Sequence, residues 1–148
     1  MLRFAVFLLL MSTLISPLLA DLRADSLLLT GARAKNIQMI ELALAQGADV
    51  NITDEIGRTA LIWGSFHGYL PLIKLLLERG AGVEARDAMG RTALMWAALA
   101  GRARVVELLL AGGANVEAID NNGAKSAEWA RREGHEALSE TLLSLSAK

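Results

Sequence analysis

The sequence contains no cysteine. This absence excludes disulfide bonds, thiol catalysis, zinc sites with thiolate ligands and lipid attachment through an N-terminal cysteine. There are only two histidines, and no Ser, His and Asp occur in a recognisable nucleophile motif. No P-loop or dinucleotide-binding glycine motif is present. We therefore predict no catalytic, cofactor-binding or metal-binding residues, and we expect a protein that is not an enzyme.

Basic and acidic side chains are nearly equal in number. The chain has 15 Lys and Arg against 16 Asp and Glu, a net charge of −1 at pH 7, and no basic run. Without a positive field, the protein is not expected to bind nucleic acid. What the sequence does have is apolar residues, which make up 53% of the chain and favour a packed domain over disorder.

The N-terminal segment has the composition of a secretory leader. Arg3 is the only charged residue before Asp21, a mainly apolar stretch follows it, and Pro17 interrupts that stretch shortly before Ala20. A positive start, an apolar stretch and a small residue before the cleavage point describe a signal peptide. We predict that residues 1–20 are a signal peptide and that the mature protein is periplasmic or secreted.

An uncleaved membrane anchor is the alternative. The run Phe4–Ala20 has 17 residues, which is the lower limit for a membrane-spanning helix, and it contains Pro17. If the leader is retained, the protein is a membrane-anchored scaffold that faces the periplasm. In both cases the remainder of the chain is expected on the far side of a membrane.

Beyond the leader, the chain repeats itself at a fixed period of 33 residues. The register holds without a gap at Asp54, Asp87 and Asp120; Gly57, Gly90 and Gly123; Trp63, Trp96 and Trp129; and Gly68, Gly101 and Gly134. A period of this length indicates an array of stacked units. One unit alone cannot bury its apolar faces, whereas stacked units bury them as one continuous core.

The two central units read D-x-x-G-R-T-A-L, a short apolar helix, a Gly, and a second helix ending in L-L-L. This pattern resembles the ankyrin repeat over roughly Asp21–Leu143, and the T-A-L-M-W-A-A segment is more similar to bacterial members than to animal ones. With the predicted leader, the resemblance implies a bacterial protein of the secreted or periplasmic type. The resemblance implies an all-α solenoid of about four stacked helix-turn-helix units with short β-turn finger loops. Ala60 and Ala93 stand where the family prefers Pro, and Lys125 and Ser126 replace Thr-Pro. Thr59 and Thr92 are kept and are expected to begin the first helix of each central unit, but some hydrogen bonds at the helix starts are expected to differ.

The predicted repeat domain, residues 21–148, begins and ends with atypical units, because each end of an array must meet water instead of a neighbour. In the first unit we expect one helix that ends near Gly31 and a second that is capped by Asn36. The units are a capping unit at residues 21–53, repeats at 54–86 and 87–119, and a C-terminal capping unit at 120–145.

Two sets of recurring side chains have a structural and a functional interpretation. The repeated aspartates suggest a carboxylate cluster, but they lie one unit apart, which is too far for shared acid–base chemistry. We favour turn stabilisation for them. The repeated tryptophans form either an exposed recognition stripe or a stacked core seam; we favour packing and keep direct contact as the alternative.

In proteins that this chain resembles, partners meet the finger tips and the concave face of the first helices. The candidate protein-binding residues, carried over position by position, are Glu55, Ile56, Arg58, Trp63, Phe66, His67, Ala88, Met89, Arg91, Trp96, Leu99, Asn121, Asn122 and Arg132. Folding does not require an apolar residue at four of these positions. An exposed apolar patch with an arginine rim is therefore expected from Ile56, Phe66, Met89 and Leu99 with Arg58 and Arg91.

These observations predict a non-enzymatic module that binds another protein without a cofactor. Toxin immunity and support of a periplasmic enzyme are both compatible with the resemblance, and nothing in the sequence chooses between them. Contact with a membrane is expected only through an uncleaved leader. A small-molecule-binding or catalytic protein would instead need an enclosed pocket with convergent polar groups, where we expect an open concave groove.

Overall fold

The computed structural model describes residue 20 and residues 23–147. The predicted signal peptide, residues 1–20, therefore lies almost entirely outside the described residues. Within the described part of the chain, no helix combines the length and the apolar character that crossing a membrane requires.

The described chain is built from helices joined by short turns, and it contains a single isolated β-bridge, between Thr53 and Thr59. The first helix, α1, covers residues 23–34 of this part. The helices that follow are α2 (Ile37–Ala45), α3 (Ala60–His67), α4 (Leu70–Glu78), α5 (Ala93–Leu99), α6 (Ala103–Ala111), α7 (Ser126–Arg132) and α8 (Glu136–Ser146). This arrangement confirms the predicted all-α repeat solenoid.

The helices form two layers. The inner helices α3, α5 and α7 pack side by side, and each packs against the outer helix that follows it. The outer helices α4 and α6 contact each other much less than α3 and α5 do, so the stack bends with the inner helices on its concave side. Buried Ala93, Ala97 and Ala98 on α5 permit this close approach, and one core runs from Leu28 to Leu142.

The predicted start of each inner helix is confirmed in the two central units. The side-chain oxygen of Thr59 accepts the backbone N–H of Ile62 at 3.3 Å, and that of Thr92 accepts the N–H of Met95 at 3.4 Å. These bonds satisfy donors that the first helical turn leaves free. In the last unit, Lys125 occupies the same position and makes no side-chain cap. The helix-start bonds therefore differ where the sequence departs from the repeat pattern.

The end of the first helix differs from the prediction. Helix α1 continues through Gly31, and it ends next to Lys35, whose φ is +55°. Gly31 is buried, and a Cβ at this position would lie 2.8 Å from Cγ1 of Ile40 on α2. The glycine thus allows close helix packing instead of ending the helix. The predicted cap is confirmed, since Asn36 Oδ1 accepts the backbone N–H of Met39 at 3.0 Å.

The hydroxyl of Ser126, at the start of α7, is buried and has no hydrogen-bond partner among the described residues. An unpaired buried hydroxyl costs about 1–3 kcal/mol. We therefore predict that Ser126→Ala raises the free energy of unfolding by about 1 kcal/mol in a urea titration. Ser139→Ala is the matched control, because the buried Ser139 hydroxyl donates to the carbonyl of Ala127 at 2.8 Å. This control should lose stability; a loss for Ser126→Ala as well would contradict the prediction.

Candidate functional site

Each finger turn is held by one aspartate. In the central repeat, Oδ1 of Asp87 accepts the backbone N–H groups of Met89 and Arg91, both at 2.9 Å. Asp54 accepts the N–H groups two and four residues further on at 3.1 and 2.9 Å. Asp120 does the same at 2.8 and 2.9 Å. These bonds confirm the interpretation of the aspartates as turn-stabilising residues.

The second oxygen of each carboxylate ties the turn to the inner helix. It accepts the indole N–H of the tryptophan nine residues further on, at 3.1 Å from Trp63, 2.9 Å from Trp96 and 3.1 Å from Trp129. In the two central units it also accepts Nε of Arg58 or Arg91, at 3.0 Å. The recurring Asp and Trp are therefore one hydrogen-bonded unit, which the central repeats complete with Arg.

The arginines also cover the indole rings. The guanidinium carbon of Arg58 lies 3.9 Å from the centroid of Trp63, and that of Arg91 lies 4.1 Å from Trp96. Contacts at these distances are cation–π interactions. Neighbouring units are linked by Arg91 at 5.7 Å from Trp129. We call this surface the Arg–Trp face, and it consists of Trp63, Trp96 and Trp129 with Arg33, Arg58, Arg91 and Arg132.

The tryptophans are only partly buried. Trp63 and Trp96 pack against the core with one part of each ring, and the other part stays accessible on the Arg–Trp face. The three rings recur at the same place in successive units, since each bonds its own finger aspartate. The bond to the finger aspartate gives a structural reason for their recurrence, and contact with a partner stays a prediction for the accessible parts.

Four residues of the predicted patch are less exposed than that hypothesis assumed. Phe66 and Leu99 are partly buried, and the Phe66 ring stands edge-on to Trp96 with centroids 5.5 Å apart. The side chains of Arg58 and Arg91 are only 22% and 16% exposed, because both are bound to a carboxylate. These side chains are part of the folded framework, which differs from the prediction of an exposed apolar patch with an arginine rim.

The finger tips remain the most accessible part of the predicted surface. Ile56 is 45% exposed and Met89 is 47% exposed. Their carbonyl groups link successive fingers, since Ile56 O accepts the N–H of Ala88 at 2.9 Å and Met89 O accepts that of Asn121 at 3.1 Å. The backbone of the tips is therefore fixed while the apolar side chains face outward. Other exposed predicted residues are Glu55, Ala88, Asn121, Asn122 and Arg132.

His67 lies at the end of α3 and stacks on Trp63, with ring centroids 5.8 Å apart. Burial lowers its pKa, and the positive charges of Lys35 and Arg102 lower it further. The imidazole is therefore neutral at pH 7, and the charges that surround it are cationic.

Arg33 is a residue of this face that the sequence analysis missed. Its Nη2 donates to Oδ2 of Asp54 at 3.0 Å, and its guanidinium lies 5.2 Å from the centroid of Trp63. One repeat period after Arg33 stands Phe66, which contacts Trp96 in the same relation. Because the first unit lacks the finger motif, only the 33-residue register could have placed Arg33 on the face.

Two of the finger aspartates have lowered pKa values. Burial opposes ionisation of Asp54, but hydrogen bonds from the Arg58 backbone and from the side chains of Arg33 and Arg58 lower its pKa from 3.8 to about 2. Burial also opposes ionisation of Asp120, and backbone N–H groups, the Trp129 indole and the charge of Arg132 lower its pKa. Both groups are charged at neutral pH, and their lone pairs are engaged in structure instead of proton transfer.

This pKa shift predicts a stability loss in acid. Because the pKa of Asp54 is lower in the folded state, its ionised form stabilises the fold above pH 4, and this contribution disappears as the pH falls from about 4 towards 2. Asp54→Asn should be less stable than the native chain at pH 7, and the difference should shrink across that window. Urea titrations at several pH values measure it. A difference that stays constant down to pH 2 would contradict the assignment.

In the described residues, no group of three or more His, Asp or Glu side chains could hold a metal ion.

A cavity of about 540 Å³ lies between the outer helices α6 and α8, and none of the predicted site residues line it. A smaller cavity, of about 290 Å³, opens on the Arg–Trp face. Four of the predicted residues line the smaller cavity: Arg58, Trp63, Phe66 and Trp96.

The fold and this face define a repeat solenoid whose finger turns and inner helices form one continuous surface. The profile of the family described as "Ankyrin repeats (3 copies)" matches residues 5–87, 27–120 and 67–148. The chain belongs to the ankyrin-repeat family. Such repeats are protein–protein interaction modules that are generally not enzymes and typically bind other proteins. No curated protein matches the chain at a significant level.

Proposed function

We propose that this protein is exported and binds a partner protein through its finger tips and the Arg–Trp face. The observation that carries the proposal is the hydrogen-bonded Asp–Trp–Arg framework, which holds partly accessible aromatic and cationic groups in fixed positions. A surface that is ordered before binding loses little conformational entropy on association. Trp and Arg are also the residues that most often carry binding energy at protein interfaces.

Export is proposed from the leader composition of residues 1–20, and the periplasm or the extracellular space is the destination. The family match begins at residue 5 and so overlaps this leader. Mass spectrometry of the N-terminus of the protein from its native host separates the possibilities. A chain that starts at Asp21 supports cleavage and export, and a full-length chain in the membrane fraction supports the tethered scaffold. A full-length chain in the cytoplasm would overturn export.

Within this proposal, the partner is either a toxin that the protein neutralises or an envelope enzyme that it supports. Capture of the native partner from the envelope fraction, followed by a test of whether the partner's activity falls or rises on binding, distinguishes the two roles. Inhibition indicates immunity, and protection or activation indicates support.

The finger tips provide the mutational test. Ile56→Ser combined with Met89→Ser should weaken binding of the captured partner on the order of tenfold, because two accessible apolar side chains are lost from the contact. The melting temperature should change little, since both side chains are exposed. Isothermal titration calorimetry measures the affinity. Leu42→Ser is the matched control, because Leu42 is 51% exposed but lies on the outer helix α2. Equal effects of the two variants would overturn the proposed surface.

A further inference from the structure

The cavity on the Arg–Trp face lies between the second and third units. It has a volume of about 290 Å³ and is lined by Arg58, Ile62, Trp63, Phe66 and Trp96. Small-molecule sites usually measure about 300–1,000 Å³. A cavity just below this range suits one large side chain better than a complete ligand.

The gap between Trp63 and Trp96 differs from the next gap along the stack. Arg91 lies 4.1 Å from the centroid of Trp96 and 5.7 Å from that of Trp129, so its guanidinium bridges the two rings. The guanidinium of Arg58 lies over Trp63, 3.9 Å from its centroid, and is bound to Asp54. The cavity therefore arises from the arrangement in one pair of units and does not follow from the repeat pattern itself.

The walls of the cavity are mostly aromatic and aliphatic. The indole rings of Trp63 and Trp96 form two of them, Phe66 stands edge-on to Trp96, and the buried Ile62 contributes the aliphatic part. Aromatic rings pair favourably in offset-stacked or edge-to-face geometry, which adds about 0.5–1.5 kcal/mol to the burial of their area. An aromatic side chain is the occupant that uses these walls best.

The surroundings of the cavity are cationic. Arg58 lies in the wall of the cavity. Arg33, whose side chain is 49% exposed, makes the second cation–π contact with Trp63. Arg102 donates its Nε to the carbonyl of Phe66 at 3.2 Å. The carboxylate of Asp54 is shared between the two arginines of its own cluster, and its side chain is only 3% exposed. The charge that faces solvent is therefore positive, which favours carboxylates on whatever binds there.

We propose that the cavity between Trp63 and Trp96 receives an aromatic side chain from an acidic segment of the partner protein. This inference rests on the proposed function, because it assigns the chemistry of the partner to the same face. It adds the identity of the anchoring side chain and the charge of the residues beside it.

The test uses three blocked peptides as probes and the complete repeat chain labelled with 5-fluorotryptophan. The protein has three tryptophans, so its ¹⁹F NMR spectrum has one resonance for each, and single Trp→Phe variants assign them. Acetyl-Asp-Trp-Asp-amide should shift the resonances of Trp63 and Trp96 and leave that of Trp129 unchanged. Acetyl-Lys-Trp-Lys-amide should bind at least about fivefold more weakly, since its charges are repelled. Acetyl-Asp-Ala-Asp-amide should cause no shift.

Phe66→Ala removes one wall and should weaken binding of the acidic tryptophan peptide about fivefold or more. Leu42→Ala, on the outer helix α2, is the control and should bind as the native chain does. The unchanged Trp129 resonance reports that each variant is folded at the temperature of the titration. Equal shifts at all three tryptophans, equal affinity for the lysine peptide, or no shift up to the solubility limit would each overturn the inference.

These results are separable from a failure of the proposed function. The peptide titration does not need the native partner, so a negative result beside a strong effect of the finger-tip variants removes only the cavity assignment. A positive peptide titration beside unchanged partner binding by the finger-tip variants removes only the tip contacts.

Discussion

Replacement of Asp87 by Ala is expected to lower the free energy of unfolding by about 3 kcal/mol, because it breaks a buried ion pair and several hydrogen bonds at once. The side chain of Asp87 is 1% exposed. Its two oxygens accept backbone N–H groups of Met89 and Arg91, Nε of Arg91 and the indole N–H of Trp96. The substitution leaves these donors without an acceptor and leaves a guanidinium without its counter-charge.

Urea unfolding followed by circular dichroism measures the effect. Asp120→Ala should lower the free energy of unfolding by roughly half as much. Asp120 accepts hydrogen bonds only from its own turn and from Trp129, because Ala124 stands where the central repeats have an arginine. Asp49→Ala, at an exposed position, should cost little. The assignment fails if Asp87→Ala is no more destabilising than Asp49→Ala. Total stabilities of small domains are about 5–15 kcal/mol, so the expected loss is a large part of the whole.

Gly90→Ala should also be strongly destabilising, by about 3 kcal/mol, for two separable reasons. Gly90 has φ +76°, a left-handed conformation that favours glycine. In addition, a Cβ at this position would lie 2.9 Å from the backbone nitrogen of Asn121 and would also collide with the Asn121 side-chain oxygen. Since backbone cannot move aside as a flexible side chain does, adjacent fingers would have to separate.

Gly123→Ala isolates the two contributions. Gly123 occupies the same place in the next finger with φ +79°, but a Cβ there meets nothing within 4 Å. Its substitution by alanine should therefore lower the free energy of unfolding only by the cost of the left-handed backbone conformation, about 1 kcal/mol. Thermal and urea unfolding of both variants measure the difference, which reports the contact between fingers. If both alanines cost the same, finger packing contributes nothing to the stability of the central repeat.

The fold could be predicted from the sequence because each unit carries its own local signals. Thr59 and Thr92 cap inner helices at the predicted positions, and the 33-residue register of the sequence aligns the three tryptophans. The end of α1 could not be predicted, because Gly31 reads as a helix terminator in isolation. Its actual role is set by the approach of Ile40 from another helix.

Contact of the candidate residues with a partner stays a prediction, and their bonding to one another could not be predicted from the sequence. The recurrence of Asp, Arg and Trp is visible in the sequence. However, Arg and Trp donate to the same carboxylate oxygen only because the finger folds back onto the inner helix. Phe66 and Leu99 are apolar at positions where exposure was expected, but both are partly buried, and Phe66 contacts Trp96 of the neighbouring unit.

The ankyrin-repeat architecture follows from the sequence, because capping, turn formation and apolar periodicity are local properties that recur every 33 residues. Which side chains serve the fold and which face solvent is visible only in the folded chain. The tertiary structure placed Arg58 and Arg91 on buried carboxylates, left Ile56 and Met89 exposed, and opened a cavity in one gap of the stack. The reason is that exposure depends on packing between helices and between units, whereas the Arg–Asp pairs join residues only four apart and depend on how each finger folds back onto its inner helix.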